Sequence, residues 1–231
     1  MTEKNSDKFK VSPMFLLLIL TAAAITVTGI IFHQRLYRII PLYVSLFIGM
    51  MQSRANRYAN LIGAGNAILY GVVNIHFKMY ASAASAILIS SPLQLLTFLR
   101  WNKHKYKKST TFRRLSVKQR ILAAIGFLCI SVLVYLMLST ADSGYRTLDT
   151  LTSLLGILIS VLMLLSYMEY TWLQLPSSIL SIVTHVVVTL DHPEQITYVL
   201  YSVYTLICMV LQCFTVQRLY TEQHVHTQVK T

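Results

Sequence analysis

The chain has 231 residues, a length that suits one ordinary soluble domain, yet 55% of them are hydrophobic and only 12% are charged, with a mean hydropathy of +0.58. A soluble domain carries about 25% charged residues, so too little polar material is present here to cover a water-facing surface. The net charge of +12 would admit nucleic acid as a partner, but nine of the twenty Lys and Arg lie between Arg100 and Arg120 with no acid among them and no recognition motif beside them. A basic cluster set between two apolar runs marks a cytoplasmic loop that can touch anionic lipid headgroups, and it speaks against nucleic acid.

The apolar residues fall into eight runs of a length that a bilayer-spanning helix requires or approaches. The first is Pro13 to Phe32. Lys4, Lys8 and Lys10 before it and Ala22, Ala23 and Ala24 inside it resemble a cleavable signal peptide, but the run continues to Phe32, which favours a retained helix. The second is short, Ile39 to Met51, with Pro41 near its start, where a helix tolerates proline. The third runs from Tyr58 to His76 and the fourth from Met79 to Leu99. After the basic loop come Ile121 to Ser139, Leu148 to Met168, Tyr170 to Leu190 and Ile196 to Val216. A polar tail of fifteen residues closes the chain. The short connectors Phe77-Lys78 and Asp191 to Glu194 make the helices that they join antiparallel neighbours. Cys129, Cys208 and Cys213 all sit in apolar runs and read as packing residues, not as a disulfide framework.

Placing the basic loop on the inner side puts both termini there as well. Sixteen Lys and Arg then lie inside and four, Arg35, Arg38, Lys78 and Arg146, outside, the asymmetry expected of a multi-pass protein. The fold class is therefore all-α integral membrane protein, with helices two to four and six to eight forming two parallel three-helix repeats around a linker helix. The domain reading is 1–37 for the inner N-terminus and extra helix, 38–101 for the first repeat, 102–140 for the loop and linker, 141–216 for the second repeat and 217–231 for the tail. Parallel repeats of this kind place a transporter's site at their interface near the midplane.

Polar groups within the runs are costly in hydrocarbon and so carry information. Asn66, Tyr70 and Asn74 are spaced four apart and share a helix face. Gln94 places an amide in the fourth run. The seventh carries Trp172, Gln174, Ser177, Ser178, Ser181, Thr184 and His185, and the eighth carries Tyr198, Tyr201, Tyr204, Thr205 and Gln212. Together they suit a cavity for a flat, hydrogen-bonding small molecule, with amides bonding its polar groups and aromatics stacking on its ring. Single serines more often serve helix packing, a lone interior histidine is more often structural, and Asp149 and Glu169 sit at helix ends within reach of water. No catalytic constellation, metal-binding pair or phosphate-binding glycine loop is present, so neither an enzyme nor a cofactor is expected.

The stretch YANLIGAGNAILY at 58–70, then Met79-Tyr80, Pro92, Gln94 and Trp101, and in the second half Leu148-Asp149 and the stretch YMEYTW at 167–172, resemble PnuC-type transporters of nicotinamide riboside and related vitamin precursors. The resemblance covers about residues 38 to 216. It implies a SWEET-like fold, facilitated diffusion of a vitamin precursor that a separate kinase then traps, a homotrimer, and a bacterial inner membrane. It also implies that Asn66, Tyr70 and Gln94 belong to the substrate site, with Trp172 as a retained tryptophan. His185, Tyr201 and Tyr204 complete the expected site from the polar pattern. The second half departs from the family, with Leu175 where a second tryptophan is expected and Ile179 where an asparagine is. That departure leaves the substrate open among nicotinamide riboside, thiamine, riboflavin and nucleosides. It also motivates the alternative of a sensor or accessory protein that keeps the fold without transporting.

Overall fold

A computed structural model describes residues 13–137 and 146–228; the basic N-terminal segment, the outer loop after the fifth run and Lys230 lie outside the described residues. The helices are α1 (Pro13–Ile31), α2 (Leu36–Gln52), α3 (Tyr58–His76), α4 (Tyr80–Ala84), α5 (Ser91–Lys103), α6 (Val117–Met137), α7 (Arg146–Leu164), α8 (Glu169–Asp191) and α9 (Ile196–Gln228). α4 and α5 are joined by a π-helical stretch, Ser85–Ser90, into one 24-residue rod. The described residues thus form eight rods, five of them long and apolar enough to cross a membrane by length and composition alone. α2, at 17 residues, is a shorter apolar helix.

The π stretch has a local cause. In ordinary α geometry the ring of Pro92 would press on the carbonyl of Leu88, four residues back, and would leave that carbonyl without its amide donor. The wider turn just before Pro92 carries the rod past this conflict without ending it. α9 runs to Gln228, past the expected end at Val216. Residues 217–228 are therefore helix and not a loose tail, since Arg218 and Glu222 pair one turn apart at 3.0 Å and Gln223 bonds the basic loop. That loop itself contains a two-stranded hairpin, Lys105–Tyr106 with Ser109–Thr110.

Six of the rods close into a ring. α2 packs on α3, α3 on the α4–α5 rod, that rod on α7, α7 on α8, α8 on α9, and α9 back on α2. α1 lies outside the ring against α2 and α9, and α6 lies outside it against α7. Two sequential trios thus meet at two seams.

At the first seam Asp149 of α7 accepts bonds from the backbone amides of Ala81 at 3.1 Å and Ser82 at 3.0 Å, and from the Ser82 hydroxyl. The start of a helix presents amides with no partner of their own and favours a negative charge, and α7 supplies that cap in place of α4's own sequence. Asp149 is 1% exposed, which corrects the expectation that water reaches it; the covering residues come from a helix distant in sequence. The second seam joins α9 and its preceding turn to α2. Tyr204 Oη donates to Leu46 O at 2.9 Å, Tyr198 Oη to Arg38 O at 3.0 Å and Thr215 Oγ1 to Ser53 O at 2.8 Å, and Arg38 pairs with Glu194 at 3.2 Å.

Two apolar cores lie toward opposite ends of the ring. One gathers Ile25, Leu42, Leu46, Val73, Phe77 and Tyr204. The other, beneath the basic loop, gathers Trp101, Phe112, Leu162, Met163, Tyr170 and Val216. In the second, Trp101 Nε1 donates to Met163 O at 2.9 Å and Gln212 Nε2 to Tyr170 Oη at 2.9 Å, so its large amphipathic rings have partners for their polar atoms, as burial requires.

Candidate substrate site

Between the two cores lies a cavity of about 240 Å³ among α7, α8 and α9. Its wall includes Ile159 from one core and Met209 from the other. The polar lining comes from Gln174, Ser177, Ser178, Ser181 and His185 of α8 and from Tyr201, Ser202 and Thr205 of α9, Ser177 lying at the edge of the face that the other α8 residues share. The α8 residues follow from helix geometry. At about 100° per residue, positions 174, 178, 181 and 185 fall within a sector about 60° wide, so one face carries an amide, two hydroxyls and an imidazole.

The groups on this face differ in how they are engaged. His185 Nδ1 and Ser202 Oγ lie 2.8 Å apart, and Ser202 Oγ also donates to Tyr198 O at 2.8 Å. Ser178 Oγ donates to Gln174 O at 2.8 Å. By contrast, Gln174 Oε1 is buried and makes no hydrogen bond with the protein, while the Thr205 hydroxyl lies within reach of the Tyr201 hydroxyl. Tyr70 of α3 does not line the cavity but packs behind Tyr201, its ring 6.3 Å from those of both Tyr198 and Tyr201, and its hydroxyl is buried without a bond of ordinary geometry. Buried polar groups are normally satisfied, so an unbonded Gln174 Oε1 on a wall that also carries Tyr201 suits a hydrogen-bonding guest. No Asp, Glu, Lys or Arg is among the lining residues.

The structure brings together His185 and Tyr201 at the cavity and sets Tyr70 against Tyr201. It places the other expected residues elsewhere. Asn66 Nδ2 donates to Pro41 O at 3.2 Å and Ser45 Oγ at 2.6 Å, pinning α3 to α2. The Gln94 amide lies so close over Gly63 that a Cβ there would overlap its Oε1. Tyr204 is 1% exposed and directed to α2. Trp172 is 53% exposed and Ile179, seven residues on, is 54% exposed; both stand on the outer face of α8. Position 172 is about 200° around the helix from position 174, so Trp172 and Gln174 cannot face the same cavity. Gln174, Ser178 and Ser181 stood in the polar pattern without being singled out for the expected site, and the sector spacing on α8 is the signal that sets them apart; Thr205 of α9 stood in the same pattern. Among the described residues no group of three or more His, Cys, Asp or Glu is placed to hold a metal.

A closed ring of apolar helices with a small, uncharged, partly polar cavity among α7, α8 and α9 defines an all-helical integral membrane protein. Residues 35–214 match the family described as nicotinamide mononucleotide transporter, and the chain belongs to that family. It is 30% identical over 129 residues to the nicotinamide riboside transporter PnuC of Neisseria mucosa, an alignment covering 53% of this chain and 49% of that protein; it thus spans about half the length of the curated relative that it matches. Its fold is that of a crystal structure described as the vitamin B3 transporter PnuC, with a TM-score of 0.79 over 90% of this chain and 92% of that one at 21% identity.

Proposed function

We propose that this protein carries nicotinamide riboside or a closely related vitamin precursor across the membrane by facilitated diffusion, with the substrate held in the cavity of α7, α8 and α9. The observation that carries the reading is the buried, unbonded acceptor Gln174 Oε1 on the same cavity wall as the Tyr201 ring. A carboxamide or ribose hydroxyl supplies the donor that this acceptor lacks. A pyridinium ring carries a positive charge, which tyrosine faces attract even where no carboxylate is present. The volume of about 240 Å³ is slightly below the usual range for drug-sized ligands, roughly 300–1,000 Å³, and suits one small heterocycle with its sugar.

In this reading the two trios act as repeats that rock about the seams, both termini face the cytoplasm, the membrane is the bacterial inner membrane, and three copies assemble. Asn66, Gln94, Trp172 and Tyr204 then act by holding helices or by meeting substrate in another conformation of the cycle. Uptake of labelled nicotinamide riboside into proteoliposomes tests the proposal, with thiamine, riboflavin and deoxynucleosides as competitors. Saturable uptake without an added ion gradient is the expected result. Folded protein that binds the compound and gives no flux would instead establish the non-transporting sensor.

A further inference from the structure

On the outer flank of the ring, away from the cavity, α6 touches α7 but leaves an open groove of about 370 Å³ between itself and α8. The groove exists because the α6 face that borders it carries small side chains, Ala123 and Ala124, where a larger residue would close the gap. Leu158 and Leu162 of α7 form its floor and Trp172 one rim. Its wall is otherwise almost wholly apolar, and its charged lining is Arg114, Arg120 and Glu169, two cations against one carboxylate.

Those two arginines are held in place by the backbone. Arg113 N donates to Ser166 O at 2.9 Å and Met168 N to Arg113 O at 2.9 Å, which fastens the end of the basic loop onto the α7–α8 turn. Glu169 accepts from Leu115 N at 3.0 Å and from Arg120 at 2.8 Å. Arg120 is therefore already paired, while Arg114 is exposed beside it and has no ion pair among the described residues. A cation on a fastened backbone thus stands at an apolar slot, at the end of the helices where nine Lys and Arg gather around Glu169 and Glu222. A tryptophan at the rim is the residue that favours the boundary between headgroups and acyl chains.

We propose that this groove is a binding site for an anionic phospholipid, with one acyl chain lying along Ala123, Ala124, Leu158 and Leu162 and the phosphate at Arg114. The charge decides the occupant: an apolar slot alone accepts any lipid tail or a second copy of the chain, whereas an unpaired guanidinium at its mouth selects a headgroup with net negative charge. The site also gives a place to the exposed Trp172, which the cavity does not use.

Thermal unfolding of the purified full chain in mild detergent tests it, with added phosphatidylglycerol, phosphatidylcholine or glycerol 3-phosphate. Phosphatidylglycerol should raise the melting temperature, while the zwitterionic lipid and the chainless phosphate should not. Arg114→Glu should weaken the apparent affinity for phosphatidylglycerol roughly tenfold, on the scale of one interfacial charge reversed. Ala124→Phe, at an exposed position that tolerates bulk without disturbing a core, should abolish the shift by filling the slot. Equal shifts from both lipids, or a phosphatidylglycerol shift that survives both substitutions, would overturn the proposal. A change of oligomer size in Ala124→Phe with the lipid shift intact would overturn it in favour of a contact between copies.

Discussion

The two trios of the ring use their polar residues in opposite ways. In the first, from α2 to α5, the amides face neighbouring helices: Asn66 bonds α2 through Pro41 and Ser45, and Gln94 lies on the backbone of α3 at Gly63. In the second, from α7 to α9, the polar face of α8 borders a cavity and leaves Gln174 Oε1 unbonded. An amide at the middle of an apolar helix is costly either way, so its presence alone does not tell a clamp from a site. Asn66 Oδ1 is buried and unbonded just as Gln174 Oε1 is, so the distinction lies in position: Gln174 borders the cavity and Asn66 does not.

The seam between the trios should show the largest effect. Asp149 is buried and caps α4 from across the ring through three hydrogen bonds. Asp149→Ala would leave the amides of Ala81 and Ser82 without partners, the Ser82 hydroxyl keeping Ser153 Oγ at 3.1 Å, and hydrogen bonds to a charged group contribute roughly 1.5–3 kcal/mol each at most sites, with strong non-additivity. A loss of about 3 kcal/mol is expected, read as a large drop in the melting temperature of detergent-solubilised protein. If the melting temperature were unchanged, the two trios would have to be held together mainly at the α2–α9 seam.

Within the first trio, Asn66→Ala should cost about 1–2 kcal/mol of stability, since it removes bonds to a buried carbonyl and a buried hydroxyl. Uptake per folded molecule should change less than about twofold, because Asn66 Nδ2 is committed to α2 and the cost falls on folding. A loss of uptake with unchanged stability would reverse the assignment and place Asn66 at the substrate.

The second trio should behave the other way. Gln174→Ala removes an acceptor that no protein group uses, so the melting temperature should hold while uptake at low substrate concentration falls roughly tenfold, the equivalent of one hydrogen bond of about 1.4 kcal/mol. Parallel measurement of His185→Ala, whose ring lies 2.8 Å from Ser202, should show both a stability loss and an uptake loss. That mixed result would locate the boundary between clamp and site on α8.

Much of the ring was legible in the sequence. α3 spans Tyr58–His76 as the hydropathy pattern sets it, and α8 and α9 begin within a residue of the expected positions, because twenty apolar residues bounded by charge leave a chain few alternatives in a bilayer. What the pattern could not show depends on which helices become neighbours. Asp149 looks like a helix-end residue until α4 is seen to sit against it. Trp172 looks like a stacking platform by resemblance, yet its angular position sets it opposite Gln174, information that the spacing already held. The extension of α9 to Gln228 depends on the loop that packs on it, and hydropathy is blind to such a contact.

That loop provides the smallest effect and a direct contrast between two kinds of contact. Lys107 and Glu222 meet at 2.7 Å, and the carboxylate raises the Lys107 ammonium above its usual range. The pair is open to solvent, where side-chain entropy and screening offset most of the attraction. A raised lysine contributes whatever stability it has below its unfolded pKa of about 10.4 and loses it only as pH climbs through the higher folded value, so no change is expected between about pH 6 and about pH 9. Lys107→Ala should therefore leave the melting temperature within error across that range. Gln223 is different: its side chain accepts from Phe112 N at 2.9 Å and donates to Thr110 O at 3.0 Å, two backbone groups of the loop that a substitution would strand. Gln223→Ala should lower the melting temperature measurably where Lys107→Ala does not. If the order were reversed, the ion pairs rather than these neutral backbone bonds would be what fixes the basic loop against α9.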